Sequence, residues 1–359
     1  MEEKQAKRAV LEGARRLVAS ALIARTWGNI SCRVGSTHFV ITPSGRDYAT
    51  LDESQLVLVR LDDLSYEGSI KPSSEKGIHR AVYRQRAEVN CIIHTHQEMA
   101  SLASQLGSPL AVPPAFQAIL GQSIFTAGYA LPGTKRLQAQ VSSVLQTEHQ
   151  AALLMARHGA LCFGTEMDAT YAIADALEAV CTEAVHTRAP LLRTFGEPPS
   201  PTVVARKTKS GVVEGSGGEL QALYNALLQN KSGYTHILLL SSREILTCMK
   251  HIPTLAAYLD DVAQIAGPTL KVMQRDSRLS ALLSAAKGRD ALLIDGIGAL
   301  CMGKTKSDAQ AVATLLQKNC KAALLALSSP SVRPLPWLDT RLMRFVYTHT
   351  YSKLTAALD

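Results

Sequence analysis

Although the chain carries seven cysteines, no two stand in a CxxC pair, so the thiolate spacing of a structural zinc site is missing. Their number is odd, and Cys91, Cys162, Cys181 and Cys301 lie inside apolar segments. That usage points to reduced, buried thiols and excludes a disulfide framework. No apolar run approaches a membrane span in length. The start, Met1-Glu2-Glu3-Lys4-Gln5, is acidic and polar and does not read as a secretory signal. A cytoplasmic protein is the expectation. Basic residues exceed acidic ones for a net charge of +8, but they are dispersed, as at Arg15-Arg16 and Lys207, without interleaved aromatics. Neither nucleic acid nor membrane is an expected partner. The mild positive field suits a small anionic substrate, or simply solubility.

What is present is an ordinary globular composition, 47% apolar and 19% charged over 359 residues. That length exceeds one compact core, so two domains are expected. Apolar positions Val10, Ala14, Leu17, Val18, Ala21 and Leu22 recur at helical spacing and predict a helix from about residue 4 to 23. Strands are expected at 29–34, 38–41, 57–59 and 89–93. A helix start is expected at Pro72-Ser73-Ser74-Glu75. Another strand is expected at 152–155, with a turn back through His158 to Gly164 and a helix from about 168 to 185. The Pro-, Gly- and Ser-rich stretch at 199–218 has the composition of a linker. Beyond it, strands are expected at 237–240 and 291–294, with helices at 254–266 and 308–325.

The sharpest local signal is Cys91-Ile92-Ile93-His94-Thr95-His96. Alternate side chains on a strand point the same way, so His94 and His96 can present two imidazoles to one point. Such a pair either binds a metal or leaves the strand partly exposed.

An internal repeat weighs between these readings. Residues 152–181 match 291–320 without a gap at an offset of 139 (291 − 152), with twelve identities. Residues 92–106 match 245–259 more weakly, at an offset of 153 (245 − 92). In that register His94, His96 and His158 fall on Thr247, Met249 and Ile297. The packing residues persist while all three imidazoles are gone. Joint loss fits one shared task better than three separate packing roles, and it predicts a three-histidine metal site in the first half.

The motifs Gly28-Asn29-Ile30-Ser31, Thr42-Pro43-Ser44-Gly45, Pro72-Ser73-Ser74-Glu75, His94-Thr95-His96 and His158-Gly159 occur in that order. In this the first half resembles the class II aldolase/adducin family, typified by zinc-dependent fuculose-1-phosphate aldolases. The resemblance implies an α/β fold, a mixed β-sheet covered by helices, here in tandem duplication. A catalytic domain would span 1–198, and a degenerate repeat without metal ligands 219–359. It implies His94, His96 and His158 as ligands of Zn2+ or another divalent metal, with a fourth position open for substrate. Glu75 matches the family's acid/base carboxylate; by itself it also reads as a glutamate favourably placed at a helix N-terminus. Asn29, Ser44, Gly45, Ser73 and Ser74 match positions that hold a substrate phosphate, although Ser73 alone reads as a helix cap.

The implied function is reversible aldol cleavage of a phosphorylated ketose or sugar acid, by a homo-oligomer. Decarboxylation, dehydration, epimerisation and a non-catalytic adducin-like module are the alternatives. The aldolases use a tyrosine after the histidine pair, where this chain reads Val112-Pro113-Pro114-Ala115-Phe116. Tyr129, Tyr347 and Tyr351 cannot be assigned to the missing hydroxyls. His79, four residues after Glu75, reads either as a partner of the site or as a solvent-side residue. His149, His186, His236, His251 and His349 have no motif support.

Overall fold

The computed structural model describes residues 1–19, 28–107, 109–148 and 150–351. The chain divides into two compact units, one of Met1–Thr187 together with the segment from His349, the other of Arg188–Thr348. Each unit is built on a seven-stranded mixed sheet covered by helices.

In the first unit the helices are α1 (Glu3–Ala19), α2 (Lys76–Gln85), α3 (Glu98–Ala103), α4 (Gln117–Leu120), α5 (Lys135–Thr147) and α6 (Met167–Arg188). The strands are β1 (Asn29–Val34), β2 (His38–Ile41), β3 (Val57–Arg60), β4 (Cys91–Thr95), β5 (Leu110–Ala111), β6 (Ser123–Ile124), β7 (Thr126–Ala127), β8 (Ala152–Met155) and β9 (Gly159–Gly164). The sheet order is β3-β2-β1-β4-β9-β8-β7, with only β7 and β8 running parallel; β5 and β6 form a separate ribbon. Alternation along β4 builds both cores. Ile93 joins Val10, Ala14 and Leu17 of α1 and Tyr171 of α6. Ile92 joins Ile78 and Val82 of α2 and Leu137 and Val141 of α5 on the other face. Ala21 and Leu22, assigned by periodicity to the first helix, lie outside the described residues.

The second unit contains α7 (Pro190–Arg193), α8 (Gln221–Asn230), α9 (Arg243–His251), α10 (Asp260–Ile265), α11 (Leu279–Ala286), α12 (Lys306–Ser328) and α13 (Trp337–Val346). Its strands are β10 (Thr202–Lys207), β11 (Val213–Gly215), β12 (His236–Leu240), β13 (Thr254–Ala256), β14 (Thr269–Met273), β15 (Ala291–Ile294) and β16 (Gly298–Gly303). In the order β11-β10-β12-β16-β15-β14-β13 the first six strands repeat β2-β1-β4-β9-β8-β7, again with one parallel pair, β14 and β15, while β3 has no counterpart and β13 adds an antiparallel edge.

Two elements differ from the sequence expectation. The stretch at 199–218 is no linker. It supplies β10 and β11, and Val204 and Ala205 reach the core, because pairing to the apolar strand β12 outweighs an unremarkable local composition. The helix expected at 254–266 is a strand followed by a short helix. Thr254–Ala256 pair with β14, and α10 begins at Asp260-Asp261, acidic residues suited to a helix N-terminus.

The second repeat register also changes. His94 pairs with Leu161 on β9, and Leu239 pairs with Leu300 on β16. Leu161 and Leu300 are counterparts at the offset of 139 (300 − 161), so His94 corresponds to Leu239, an offset of 145 (239 − 94). His96 then falls on Ser241. Thr247 and Met249 lie on α9, away from the strand end. The correspondence of His158 with Ile297 stands, since β8 and β15 start at Ala152 and Ala291.

Candidate active site

β4 ends at Thr95, placing His94 on its last turn of pleat and His96 just beyond. The tight turn between β8 and β9 carries His158. Ring centroids of the three histidines are 4.6–4.8 Å apart, all three residues are buried, and one ring nitrogen from each lies within 4.8 Å of the others. Gly159 makes this approach possible: a Cβ there would collide with the Thr95 carbonyl. Gly298 stands in the same relation to Leu240 in the second unit. Arg157, just before the third histidine, holds a left-handed backbone at φ 65°, where its counterpart is Gly296.

His94 Nδ1 lies 2.8 Å from the Ala160 carbonyl oxygen. A carbonyl only accepts, so Nδ1 carries the hydrogen and Nε2 faces the centre. There it meets His158 Nε2 at 3.0 Å and Glu75 Oε2 at 3.2 Å, while Glu75 Oε1 lies 3.0 Å from His158 Nε2. Ring nitrogens and carboxylate oxygens this close need positive charge among them, supplied by ring protons or by a bound cation. The donor set therefore fits a divalent metal, and His94, His96 and His158 are the residues able to hold it.

Glu75 is the residue immediately before α2, and its side chain makes no cap for that helix. The carboxylate is buried and directed at the histidines, against the reading of an ordinary helix-start glutamate. Burial pushes its pKa up, but His94 and His158 outweigh that and hold the group well below the usual carboxylate range.

The five proposed phosphate residues come from three segments joined by backbone contacts. Pro43 bridges Pro72, Ser44 N–H donates to Lys71 O at 2.9 Å, and Ser73 N–H donates to Thr42 O at 3.1 Å. Tyr48 OH ties Gly28 O at 2.7 Å to Thr42 Oγ1 at 3.0 Å. Ser44, Gly45, Ser73 and Ser74 thus sit on two adjacent loops. Gly45 supplies a left-handed φ of 71° and Ser74 is exposed. The helix starts at Lys76, later than the Pro72 expectation, and Ser73 Oγ accepts from Glu75 N at 3.2 Å. Asn29 is used differently: its Nδ2 donates to Glu75 Oε2 at 3.0 Å.

His79 is completely buried, so the solvent-side reading does not hold. It bonds Asn29 Oδ1 through Nε2, and its Nδ1 lies 2.7 Å from Ser31 Oγ, which is 2.8 Å from Tyr83 OH. Only its spacing of four residues from Glu75 signalled this. Tyr83 carried no such signal, and Ser31 only its place in the Gly28-Asn29-Ile30-Ser31 motif. Phe116 lies in a short 3-10 turn, Pro114–Phe116. The cysteines are all buried and unbridged. Among the described residues no helix is long and apolar enough to cross a membrane. His186 and His236 are half-buried and His251 and His349 exposed, while His149 and the side chain of Tyr351 lie outside the described residues.

The family description "Class II Aldolase and Adducin N-terminal domain" matches residues 8–185. A 5-deoxy-D-ribulose 1-phosphate aldolase from Bacillus thuringiensis serovar kurstaki is 30% identical, over 51% of this chain and 84% of its own length. An L-fuculose phosphate aldolase from Escherichia coli O157:H7 is also 30% identical, over 50% of this chain and 81% of its own length. A methylthioribulose-1-phosphate dehydratase from Stenotrophomonas maltophilia is 27% identical, over 44% and 79% respectively. With these similarities and the histidine–glutamate cluster in its first unit, the chain belongs to the class II aldolase and adducin family.

Proposed function

We propose that the protein is a metal-dependent lyase that cleaves a phosphorylated ketose, or a related sugar-acid phosphate, by a reversible aldol reaction. The observation that carries this reading is the buried Glu75 carboxylate set 3.0 and 3.2 Å from His158 and His94. A divalent cation on His94, His96 and His158, Zn2+ in the first instance, would supply Lewis acidity towards the substrate's oxygens. Glu75 moves the proton at the reacting carbon, and its burial keeps bulk water from competing. Ser73, Ser74, Ser44 and the Gly45 backbone receive the phosphate, which anchors the substrate away from the reacting bond. The family resemblance also favours a homo-oligomer, which sizing by light scattering checks.

Dehydration of a ketose 1-phosphate is the second reading. It is favoured by Phe116, which has no hydroxyl in the segment where the aldolases supply a tyrosine. The test incubates zinc-loaded protein with 5-deoxyribulose 1-phosphate, fuculose 1-phosphate and methylthioribulose 1-phosphate and resolves the products by mass. Release of a three-carbon phosphate supports the lyase. A product lighter by one water replaces it with the dehydratase. No product from any of them overturns both.

A further inference from the structure

We propose that His79 is the positioning residue of this site: it locks the Asn29 carboxamide in the orientation that gives Glu75 an N–H, and so aims the Glu75 carboxylate. This rests on the acid/base reading of Glu75 given above.

Bond directions follow from donor and acceptor chemistry alone. An ionised carboxylate only accepts, so Asn29 must turn Nδ2 towards Glu75, where the separation is 3.0 Å. Its Oδ1 then faces His79 Nε2, and that nitrogen must carry the hydrogen. A neutral imidazole with hydrogen on Nε2 accepts at Nδ1, so the Ser31 hydroxyl, 2.7 Å away, donates there. Ser31 Oγ in turn accepts from Tyr83 OH at 2.8 Å. The series runs one way, from Tyr83 through Ser31, His79 and Asn29 to Glu75. Burial pushes the His79 pKa down to about 3, which keeps the ring neutral. All five groups are buried, so bulk solvent does not stand in for a lost partner.

Two periodicities bring the groups together. Asn29 and Ser31 are two apart on β1 and share a face; Glu75 and His79 are four apart at the start of α2 and share a stripe. The second unit acts as an internal control. Asn29 pairs with His94, and in the second sheet Thr202 pairs with Leu239, the counterpart of His94. Ser31 pairs with Ile92, and Ala205 pairs with its counterpart Ile237. The copy without the histidines has also lost the carboxamide and the hydroxyl. A relay needed only for packing has no reason to disappear together with the metal ligands.

The test begins with 15N NMR of histidine side chains in the zinc-loaded protein, which reads the tautomer without any reaction. A neutral His79 ring with hydrogen on Nε2 from pH 5 to 8 is expected; hydrogen on Nδ1, or a ring that is protonated across that range, overturns the proposal. Kinetics follow on His79→Phe and His79→Gln, the second of which can still donate an amide N–H to Asn29. His79→Phe should lower kcat roughly 10- to 100-fold with KM and zinc content unchanged, and His79→Gln should recover most of that loss. A KM effect alone, or no recovery by glutamine, overturns it. If His79→Phe does not fold, the tautomer and His79→Gln decide. If the wild-type protein turns over no sugar phosphate, the functional reading fails, and the tautomer still decides the relay.

Discussion

His94 Nδ1 lies 2.8 Å from the carbonyl oxygen of Ala160 on the neighbouring strand, and that contact decides which nitrogen faces the site. Because Ala160 is a backbone acceptor in the sheet, the side chain's tautomer is set by the fold itself.

One metal per chain is the first expectation. The second unit offers Leu239, Ser241 and Ile297 where the first has His94, His96 and His158, and leucine and isoleucine have no ligand atom. Elemental analysis should find one zinc, and His94→Ala, His96→Ala or His158→Ala should each abolish binding. Two metals per chain, or full occupancy in His158→Ala, contradicts the assignment.

Glu75→Gln should keep metal and fold but lower turnover by about 10²- to 10⁴-fold, because the amide is nearly isosteric and cannot exchange a proton. Wild-type activity with intact metal would move the acid/base role to another group, with Tyr129 the first candidate.

Ser73→Ala should act on binding. Losing one hydrogen bond to a charged phosphate costs about 1.5–3 kcal/mol, seen as a roughly 10- to 100-fold rise in KM. Equal KM values for phosphorylated and unphosphorylated substrates would count against the two serine loops as the phosphate site.

Acid should destabilise the first unit through His79. Its pKa falls from 6.5 to about 3 in the folded protein. Between those values the unfolded chain binds the proton and the native ring does not, so stability falls as pH drops, by up to about 1.4 kcal/mol per pH unit. Glu75 adds a loss of the same sign, but only below its ordinary value of 4.5. Urea titrations from pH 7 to 5 should therefore show a slope in the metal-free wild type that is reduced in His79→Gln. An unchanged slope would place the proton elsewhere.

Gly159→Ala and Gly298→Ala form a matched pair, since a Cβ at either meets a backbone carbonyl of the adjoining strand end. Each should destabilise its unit by about 1–3 kcal/mol. Only Gly159→Ala should also weaken metal binding, because His158 precedes it. Calorimetry with metal titration separates the two effects.

Local periodicity determined much of this protein. The two-residue period of a strand put His94 and His96 on one face, and the apolar spacing of residues 4–19 made a helix, because both depend only on near neighbours. The ungapped match at an offset of 139 identified β8, β9 and α6 with β15, β16 and α12. Contacts between distant residues decided the rest. Residues 202–207 are a strand because β12 pairs with them, and the true counterpart of His94 is visible only through Leu161 and Leu300 on the partner strands. Whether Glu75 capped a helix or faced the histidines, and whether His79 met water or Asn29, depended on where α2 lies against β1. Spacing along a chain fixes which side chains share a face. What that face meets is settled only when elements far apart in sequence pack together.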